Sequence, residues 1–387
     1  MRARPHLVLL ALAALVGGIF VTVTPLPATG TIEPGELWTR TYAGQEVSGV
    51  AIDAEDNVLV ASSSVATGSA FVRKIGPDGV QLWKQEWAGP DFAWTSGHDV
   101  AVDADGAVYL VGSETVSAVQ SKVFLRKYGA GGVLKWTVHI KEAFGDAVAV
   151  SGTRVAVVGD KILDDGTTDA LLRVYDRQGE EQWTRIFDGK GGDIDVARDV
   201  AFGTDGSVYA VGSVTIDPVG PDEDMFVRRY EPDGTLVFKA THDGASDTAE
   251  VDIAQGVAVT DSTLYVCGVT DLSLAGGSDA QAFLRTSGLD LAPGWTQWWG
   301  GMAGRDDQAM DVAFDAIGNA WVAGWYMETD GTHLFISERD ADTGAELWGF
   351  TSTEASSVGM SVANSLSMLV VGGTVDGQGW VRAHVFG

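Results

Sequence analysis

Acidic residues recur just before short apolar segments along this chain. Four aspartates lie one or two residues before a valine, and three more lie in the pattern Asp-x-Ala. The seven are Asp99, Asp146, Asp199 and Asp311, and Asp195, Asp252 and Asp307. Grouped carboxylates can bind a cation such as Ca²⁺ or a basic partner. The alternative is structural, with the carboxylates capping turns and pairing with arginines.

Arginine recurs with a regular spacing of its own. It stands two residues after the apolar residue that opens a short segment, and one copy carries Ser337 instead. The six are Arg73, Arg126, Arg173, Arg228, Arg285 and Arg382. A ligand site seldom needs six copies of one residue, so a structural role is favoured. Because a desolvated guanidinium needs a charged partner, we expect these arginines to pair with the recurring aspartates.

Motifs of catalysis are missing from the sequence. The 6 histidines are not spaced as metal ligands, and there is no nucleophile elbow, phosphate-binding loop or zincin motif. The Asp-x-Asp-Gly of residues 103–106 resembles the start of a calcium loop, but the later acidic ligands are absent. A hairpin turn is the alternative. The sequence therefore predicts no catalytic residue.

These residues belong to a repeat. One module, such as 99–112, contains two apolar runs separated by Asp-x-Asp-Gly, and a second module, such as 226–238, ends on an aromatic residue. The pair recurs seven times at a spacing of about 50 residues, which accounts for nearly the whole chain. The closing aromatic is Phe238 in one copy and tryptophan in others. We assign the tryptophans to packing between repeats: Trp38, Trp83, Trp136, Trp183, Trp295 and Trp348.

Each repeat contains four short β-type segments. The second is apolar on both faces, as in 208–211, and the third alternates more. Short turns with glycine, such as 103–106 and 232–234, join them. Four antiparallel strands repeated seven times, without helical periodicity, predict an all-β fold: a single seven-bladed β-propeller.

The last repeat lacks its outer aromatic strand. The missing segment is found near the N-terminus, where 37–42 resembles 182–187. We therefore expect the N-terminal strand to complete the last blade by pairing with the segment near 381–385, which removes free sheet edges.

In such a fold the innermost strands line a central channel, so we expect some of the recurring aspartates to ring its mouth. The long, variable loops fall at 188–199, 217–224, 243–252 and 299–311, and they are rich in acids. Variable loops on a rigid scaffold are common binding surfaces. An acidic loop face that takes Ca²⁺ or a basic protein is therefore predicted.

The repeat resembles the bacterial β-propeller repeat family called SBBP. The matching residues are Asp-Val-Ala-x-Asp-x-Asp-Gly-x-Val-Tyr-x-x-Gly at 99–112 and Phe-Val-x-x-Tyr-x-x-Asp-Gly-x-x-x-Trp at 226–238, where Phe238 replaces the tryptophan. The resemblance covers about residues 37–387. It implies an extracytoplasmic bacterial propeller, and it implies no specific activity, because one fold hosts many functions.

The N-terminus has the pattern of a targeting segment. Arg2 and Arg4 precede a nearly unbroken apolar stretch, and Ala28-Thr29-Gly30 fits a small-x-small cleavage rule. Residues 1–30 are therefore predicted to be a signal peptide, with an uncleaved membrane anchor as the alternative. Residues 31–387 would form one domain, secreted, periplasmic or on the cell surface. No further membrane span is expected.

The charge balance limits the partners. The formal net charge is −28, with 53 acidic against 25 basic side chains, so nucleic acid is an unsuitable partner. The single cysteine, Cys267, lies in an apolar run and excludes a disulfide framework. We expect a monomeric, non-catalytic binding or interaction module with no cofactor beyond candidate Ca²⁺. The alternative is an extracytoplasmic hydrolase or lyase with a metal in the channel.

Overall fold

A computed structural model describes residues 35–89, 94–117, 120–189, 194–217, 222–242, 251–272, 280–299, 306–354 and 356–385. The predicted signal peptide at 1–30 lies outside these ranges. Within them the chain forms 28 β-strands, and no helix there is long and apolar enough to cross a bilayer. The all-β expectation is confirmed for this part of the chain.

The strands form seven four-stranded antiparallel sheets, numbered here from the N-terminus. Sheet 1 comprises β2 (Gln45–Ile52), β3 (Val58–Ser64), β4 (Ser69–Ile75) and β5 (Gln81–Trp87). Sheet 2 comprises β6 (Trp94–Val102), β7 (Val108–Ser117), β8 (Gln120–Tyr128) and β9 (Leu134–Lys141). Sheet 3 comprises β10 (Ala143–Ser151), β11 (Arg154–Ile162), β12 (Thr168–Asp176) and β13 (Glu181–Phe187). Sheet 4 comprises β14 (Val196–Phe202), β15 (Val208–Asp217), β16 (Asp222–Tyr230) and β17 (Leu236–His242).

The remaining sheets continue the pattern. Sheet 5 comprises β18 (Val251–Val259), β19 (Thr263–Leu272), β20 (Gln281–Gly288) and β21 (Pro293–Trp299). Sheet 6 comprises β22 (Asp307–Phe314), β23 (Ala320–Glu328), β24 (Gly331–Arg339) and β25 (Glu346–Thr351). Sheet 7 comprises β26 (Ser357–Asn364), β27 (Met368–Val375), β28 (Gln378–Val385) and β1 (Gly35–Tyr42). A single parallel pair, Glu223 with Val251, links sheets 4 and 5.

Local sequence explains the strands and their turns. The second strands are buried on both faces, as the Val208–Val211 run in β15 shows, whereas the outer strand β5 alternates between exposed and half-buried residues. In the turn after β6, Asp103 accepts hydrogen bonds from the amides of Asp105 and Ala107, and Gly106 has φ 74°. The Asp-x-Asp-Gly motif is therefore a hairpin turn whose first carboxylate serves the backbone.

Strand β1 completes the last sheet, as predicted. It pairs antiparallel with β28, and Trp38 lies opposite Ala383. The Trp38 side chain is 7% exposed and packs in a cluster that includes Val381 of sheet 7 and Val47 of sheet 1. The N-terminal strand thus closes the free edge of β28 and contributes to the core between the last and first sheets.

Neighbouring sheets pack face to face in a fixed order. The inner strand β6 of sheet 2 contacts β2, β3 and β4 of sheet 1, and each later inner strand contacts the preceding sheet in the same way. The inner strand β2 of sheet 1 contacts β26, β27 and β28 of sheet 7. The hydrophobic clusters lie between adjacent sheets.

Candidate functional site

The seven inner strands carry the same irregularity at the same place. In each strand the register against its neighbour shifts by one residue. Such a β-bulge re-aims a side chain away from the regular alternation. The residues at the bulge are Ser48, His98, Asp146, Arg198, Gln255, Met310 and Met360. All seven line one cavity of about 470 Å³ bounded by all seven sheets, here called the central cavity.

The residue after the bulge alternates between aspartate and a small side chain. Sheets 2, 4 and 6 carry Asp99, Asp199 and Asp311, and the other sheets carry Gly49, Ala147, Gly256 and Ser361. Each aspartate accepts one hydrogen bond from the next amide of its own strand, at 2.7 Å. Its second oxygen accepts a hydrogen bond from an amide of the following sheet. The donors are Val148, Val257 and Val362, at 2.9, 2.7 and 2.8 Å. These carboxylates therefore join the sheets in pairs.

The small residues leave room for the aspartates. A Cβ on Gly49 would stand 2.7 Å from Oδ1 of Asp99, and a Cβ on Gly256 would stand 3.0 Å from Cα of Asp311. Ser361 serves the remaining connection, between sheets 7 and 1. Its hydroxyl donates to Oδ2 of Asp311 at 2.9 Å and accepts a hydrogen bond from the amide of Val50 at 3.1 Å.

Burial raises the pKa of each of these three carboxyls above its usual range. Desolvation raises the pKa of Asp99 to about 7 and that of Asp311 to about 6, although each accepts backbone hydrogen bonds. Desolvation also raises the pKa of Asp199 well above its usual range, and repulsion from Asp311 and Asp99 adds to it. Three carboxyls that face one cavity therefore disfavour one another's ionisation.

These shifts predict a pH dependence of stability. Between about pH 4, where an unfolded carboxyl titrates, and about pH 7, the folded chain binds more protons than the unfolded chain. The free energy of unfolding should therefore fall as the pH rises through this range. Burial alone would raise the pKa of Glu114, but its hydrogen bonds lower it to about 2. Glu114 therefore contributes to the pH dependence of stability at lower pH. We expect a higher urea midpoint at pH 5 than at pH 8.

Asp99→Asn removes one of the titrating groups and should flatten this fall, whatever its own effect on stability. Asp261→Asn removes an exposed carboxylate of a turn and is the matched control. Equal urea midpoints of the unmodified protein at pH 5 and pH 8 would contradict the prediction.

A charged group occupies one side of the central cavity. Nη1 of Arg198 lies 3.4 Å from Oδ2 of Asp146, and Nδ1 of His98 lies 3.9 Å from Oδ1 of Asp146. Both nitrogens of the His98 ring are engaged, Nδ1 with the carbonyl of Gly145 and Nε2 with the hydroxyl of Ser96. The imidazole thus fastens sheet 2 to sheet 3, while Asp146 and Arg198 present opposite charges to the cavity.

The predicted acidic ring is only partly assembled. Asp99, Asp146, Asp199 and Asp311 line the central cavity. Asp195, Asp252 and Asp307 do not line it; they are 1–3% exposed and bond within their own sheets. Asp195 accepts from the amide of Thr215, Asp252 from the hydroxyl of Thr270 and Asp307 from the amide of Met327. The prediction that these three aspartates lie at the channel mouth is wrong. Each lies three residues before the bulge and holds the loop that enters the strand.

The prediction that the recurring arginines pair with aspartates is also wrong. Three of the arginines stack on an aromatic residue at the end of the preceding sheet's outer strand. The stacked pairs are Arg73 on Tyr42 at 4.4 Å, Arg126 on Trp87 at 4.0 Å and Arg228 on Phe187 at 3.7 Å.

The other three differ in partner. Arg173 pairs with Glu181 at 3.1 Å, Arg285 bonds His242 at 2.8 Å, and Arg382 lies over Phe350 and 3.7 Å from Glu36. In the part of the chain described, no ion pair joins these six arginines to an aspartate.

Five of the six tryptophans link neighbouring sheets by a hydrogen bond. Each contact between the outer strand of one sheet and the next sheet is here called a joint. At five of the joints, the indole N–H of the outer strand donates to a carbonyl in a turn of the next sheet. The pairs are Trp38 with Pro77, Trp83 with Ala130, Trp136 with Arg177, Trp183 with Pro232, and Trp295 with Ala341, at 2.9–3.2 Å. Trp348 instead packs against Trp321 and His384.

The sequence pattern did not single out six of the seven bulge residues that line the central cavity. They are Ser48, His98, Arg198, Gln255, Met310 and Met360. The available signal is positional: each stands two residues before the valine that recurs in every repeat, and its identity hardly repeats between copies.

The predicted acidic loop face falls mostly outside the described residues. Of its carboxylates, Asp195 lies with Asp169 and Asp188, and one oxygen of each lies within 4.8 Å of the others. Burial, backbone hydrogen bonds and repulsion from the other two together leave the pKa of Asp195 at about 6. Both Asp195 oxygens accept backbone hydrogen bonds, from Gly189 and Thr215. Ca²⁺ binding stays a prediction.

Comparison with solved structures identifies the fold. The chain superposes on the WD40 β-propeller domain of Doa1 with a TM-score of 0.56 and 12% identity, covering 91% of this chain and 97% of that one. The C-terminal WD40 domain of Sif2 gives 0.51 and 11%, over 93% and 100%. Drosophila Plexin A, in its complex with Semaphorin 1b, gives 0.52 and 11%, over 92% and 88%. At these identities the likeness shows a WD40-type β-propeller fold alone.

Sequence comparison adds a partial relative. No family model matches the chain. Regulatory protein FlaEY of Caulobacter vibrioides is 30% identical over 203 residues, which cover 42% of this chain and 21% of that protein. The chain is therefore similar to about a fifth of FlaEY.

Proposed function

We propose that the seven sheets are the blades of one closed seven-bladed β-propeller of the SBBP kind, and that it is a non-catalytic module which binds a partner protein at the central cavity. The observation that carries this proposal is the contrast between neighbouring positions in the inner strands. The residue after each bulge follows a simple structural alternation, whereas the bulge residue is serine, histidine, aspartate, arginine or glutamine in the first five blades and methionine in the last two. Varied side chains on a regular scaffold are typical of a recognition surface.

The chemistry of the cavity favours a peptide segment as its occupant. Sheets 1 to 5 contribute Ser48, His98, Asp146, Arg198 and Gln255, and sheets 6 and 7 contribute Met310 and Met360. Adjacent opposite charges can bind charged side chains, and the amide and hydroxyl can bond a peptide backbone. Methionine adapts to apolar side chains of different shape. One arc of the cavity is thus polar and the other apolar.

The alternative, an enzyme with a metal or an acid–base pair in the channel, receives less support. A histidine with a carboxylate at the cavity would favour it, and His98 and Asp146 are such a pair. Both ring nitrogens of His98 are already bonded to Gly145 and Ser96, so the imidazole is not placed to exchange a proton with a ligand.

We place this module outside the cytoplasm. The proposal rests on the targeting pattern of residues 1–30 and on the resemblance to SBBP repeats, and residues 31–387 would be a single monomeric domain. The acidic surface agrees with a protein partner and with exclusion of nucleic acid.

An array of synthetic hexapeptides of defined sequence tests the function. We expect the protein to select a subset of the peptides. Asp146→Asn should weaken the binding of selected peptides that contain Lys or Arg by about tenfold, because it removes their counter-charge. Arg198→Gln should do the same for peptides that contain Asp or Glu. Measurement of the bound fraction by fluorescence checks each case.

Asp261→Asn is the matched control, since it removes a carboxylate from the exposed turn that follows β18 and does not line the central cavity. It should leave the selected set unchanged. Binding of no peptide, or an equal loss in Asp146→Asn and Asp261→Asn, would overturn the proposal.

A further inference from the structure

The joint between sheets 4 and 5 departs from the other joints at three positions. Phe238 stands where five joints have a tryptophan that donates a hydrogen bond. Leu291 stands where the opposing turn elsewhere carries glycine, and it keeps the left-handed conformation, with φ 65°. Such a conformation is unfavourable for leucine and persists only where its surroundings require it.

The third departure opens space. Ala240 lies two residues after Phe238, where the other joints carry a larger side chain. The larger residues are Arg40, Gln85, Val138, Arg185, Gln297 and Phe350. Arg40 and Arg185 each donate to the carbonyl of the opposing turn's glycine at 2.8 Å. Alanine cannot fill this volume, and a cavity of about 420 Å³ adjoins it between the two sheets. This cavity is here called the side cavity.

The lining of the side cavity is apolar at its base and basic at one end. Leu264, Val266 and Phe283 of sheet 5 face Met225 of sheet 4, and Leu291 borders them. Arg285 and His242 also line it, and a hydrogen bond of 2.8 Å joins Nη2 of Arg285 to Nε2 of His242. Since this nitrogen of His242 accepts from a guanidinium, the imidazole is neutral there and Arg285 carries the charge.

No acidic residue lines the side cavity in the part of the chain described. Asp252 acts on Arg285 electrostatically, but it accepts a hydrogen bond from Thr270 and is not among the lining residues. The chain has a formal net charge of −28, whereas the one formal charge in this cavity is positive. The side cavity should therefore select an anionic ligand.

We propose that the side cavity binds a planar aromatic carboxylate of about two rings. The flat ring system takes the volume that larger side chains fill at other joints, between Phe283 and Leu291. The carboxylate pairs with the guanidinium of Arg285, whose planar set of donors suits two carboxylate oxygens. A mostly apolar cavity of this size with few polar groups is typical of small-molecule sites.

Indole-3-acetate and its neutral isostere indole-3-acetamide are the probes. Calorimetric titration should give one site per chain for the acetate and binding at least tenfold weaker for the acetamide. Arg285→Gln should remove this preference. Arg228→Gln, at the joint where the arginine stacks on Phe187, is the matched control and should leave the affinity unchanged.

Ala240→Phe tests the location, since the equivalent residue of another joint is Phe350. It should fill the side cavity and abolish binding while the melting temperature holds or rises. A second measurement does not depend on that variant. The methyl resonance of Met225 should shift on titration, and those of Met310 and Met360 in the central cavity should not. No binding at millimolar probe, binding unchanged by Ala240→Phe, or an equal loss in Arg228→Gln would overturn the proposal.

Discussion

A chain that lacks residues 35–42 is expected to lose its cooperative unfolding transition. Without β1, the edge of β28 is open, and every backbone hydrogen bond between Gly35–Tyr42 and β28 is lost. The cluster that joins sheet 7 to sheet 1 also loses Trp38, which is 7% exposed. The packing of β2 on β28 would then depend on an incomplete sheet. Chemical denaturation followed by tryptophan fluorescence and circular dichroism measures the effect.

Two point variants separate the contribution of packing from that of chain length. Trp38→Ala should lower the free energy of unfolding by about 3–5 kcal/mol, the usual cost of removing a buried aromatic side chain. Leu37→Ala changes the exposed neighbour, 46% accessible, and should stay within about 0.5 kcal/mol. A cooperative transition in the truncated chain at the same denaturant concentration as in the full chain would contradict the first expectation.

Replacement of Gly212 by alanine is expected to destabilise the fold by about 3 kcal/mol or more. An added Cβ would stand 2.0 Å from the carbonyl oxygen of Val196 and 2.9 Å from the ring of Phe226. The carbonyl belongs to the inner strand just before its bulge, so relief of the contact requires the bulge to move. Five other sheets have the same close approach, at Gly112, Gly159, Gly268, Gly324 and Gly373.

Gly131→Ala is the matched control. A Cβ there meets no atom within 4 Å and the residue has no positive φ, so stability should hold or rise slightly. Urea midpoints of the two variants decide the matter, and an effect of Gly212→Ala below about 1 kcal/mol would show that the bulge can shift freely.

Periodicity was enough to predict the strands, their number per repeat and the pairing of 37–42 with the last repeat. These features depend on local hydrophobic patterns and on comparison of one repeat with another. The central cavity was predicted only in part, because a bulge is a property of two strands in register. Asp146 and Asp307 were both interpreted as acids that lead into an inner strand, yet Asp146 is at a bulge and lines the cavity, whereas Asp307 lies three residues before the bulge of its own strand.

The error over the arginines has a similar origin. The arginines were expected to pair with aspartates because a desolvated guanidinium needs a charged partner, but the sheet that packs against each arginine determines its neighbour. For Arg73, Arg126 and Arg228 that neighbour is the aromatic residue at the end of the preceding outer strand. A planar guanidinium is attracted to the face of an aromatic ring, so it can be stabilised there without an acidic partner.

The alternation of aspartate with small residues has a consequence of parity. In the closed propeller proposed above, two kinds of residue can alternate without a mismatch only if the number of blades is even, and seven is odd. Two small residues must therefore follow one another once, and they do so between sheet 7, which carries Ser361, and sheet 1, which carries Gly49. The hydroxyl of Ser361 bridges Asp311 to Val50 across this mismatch. The mismatch lies at the contact between the last and the first sheet. By the same parity, loss of sheet 1 or sheet 7 would leave an even number of alternating members with no mismatch, whereas loss of any one of sheets 2 to 6 would bring a second pair of like residues together. Gain of a pair of repeats, one with aspartate and one with a small residue, would keep the single mismatch.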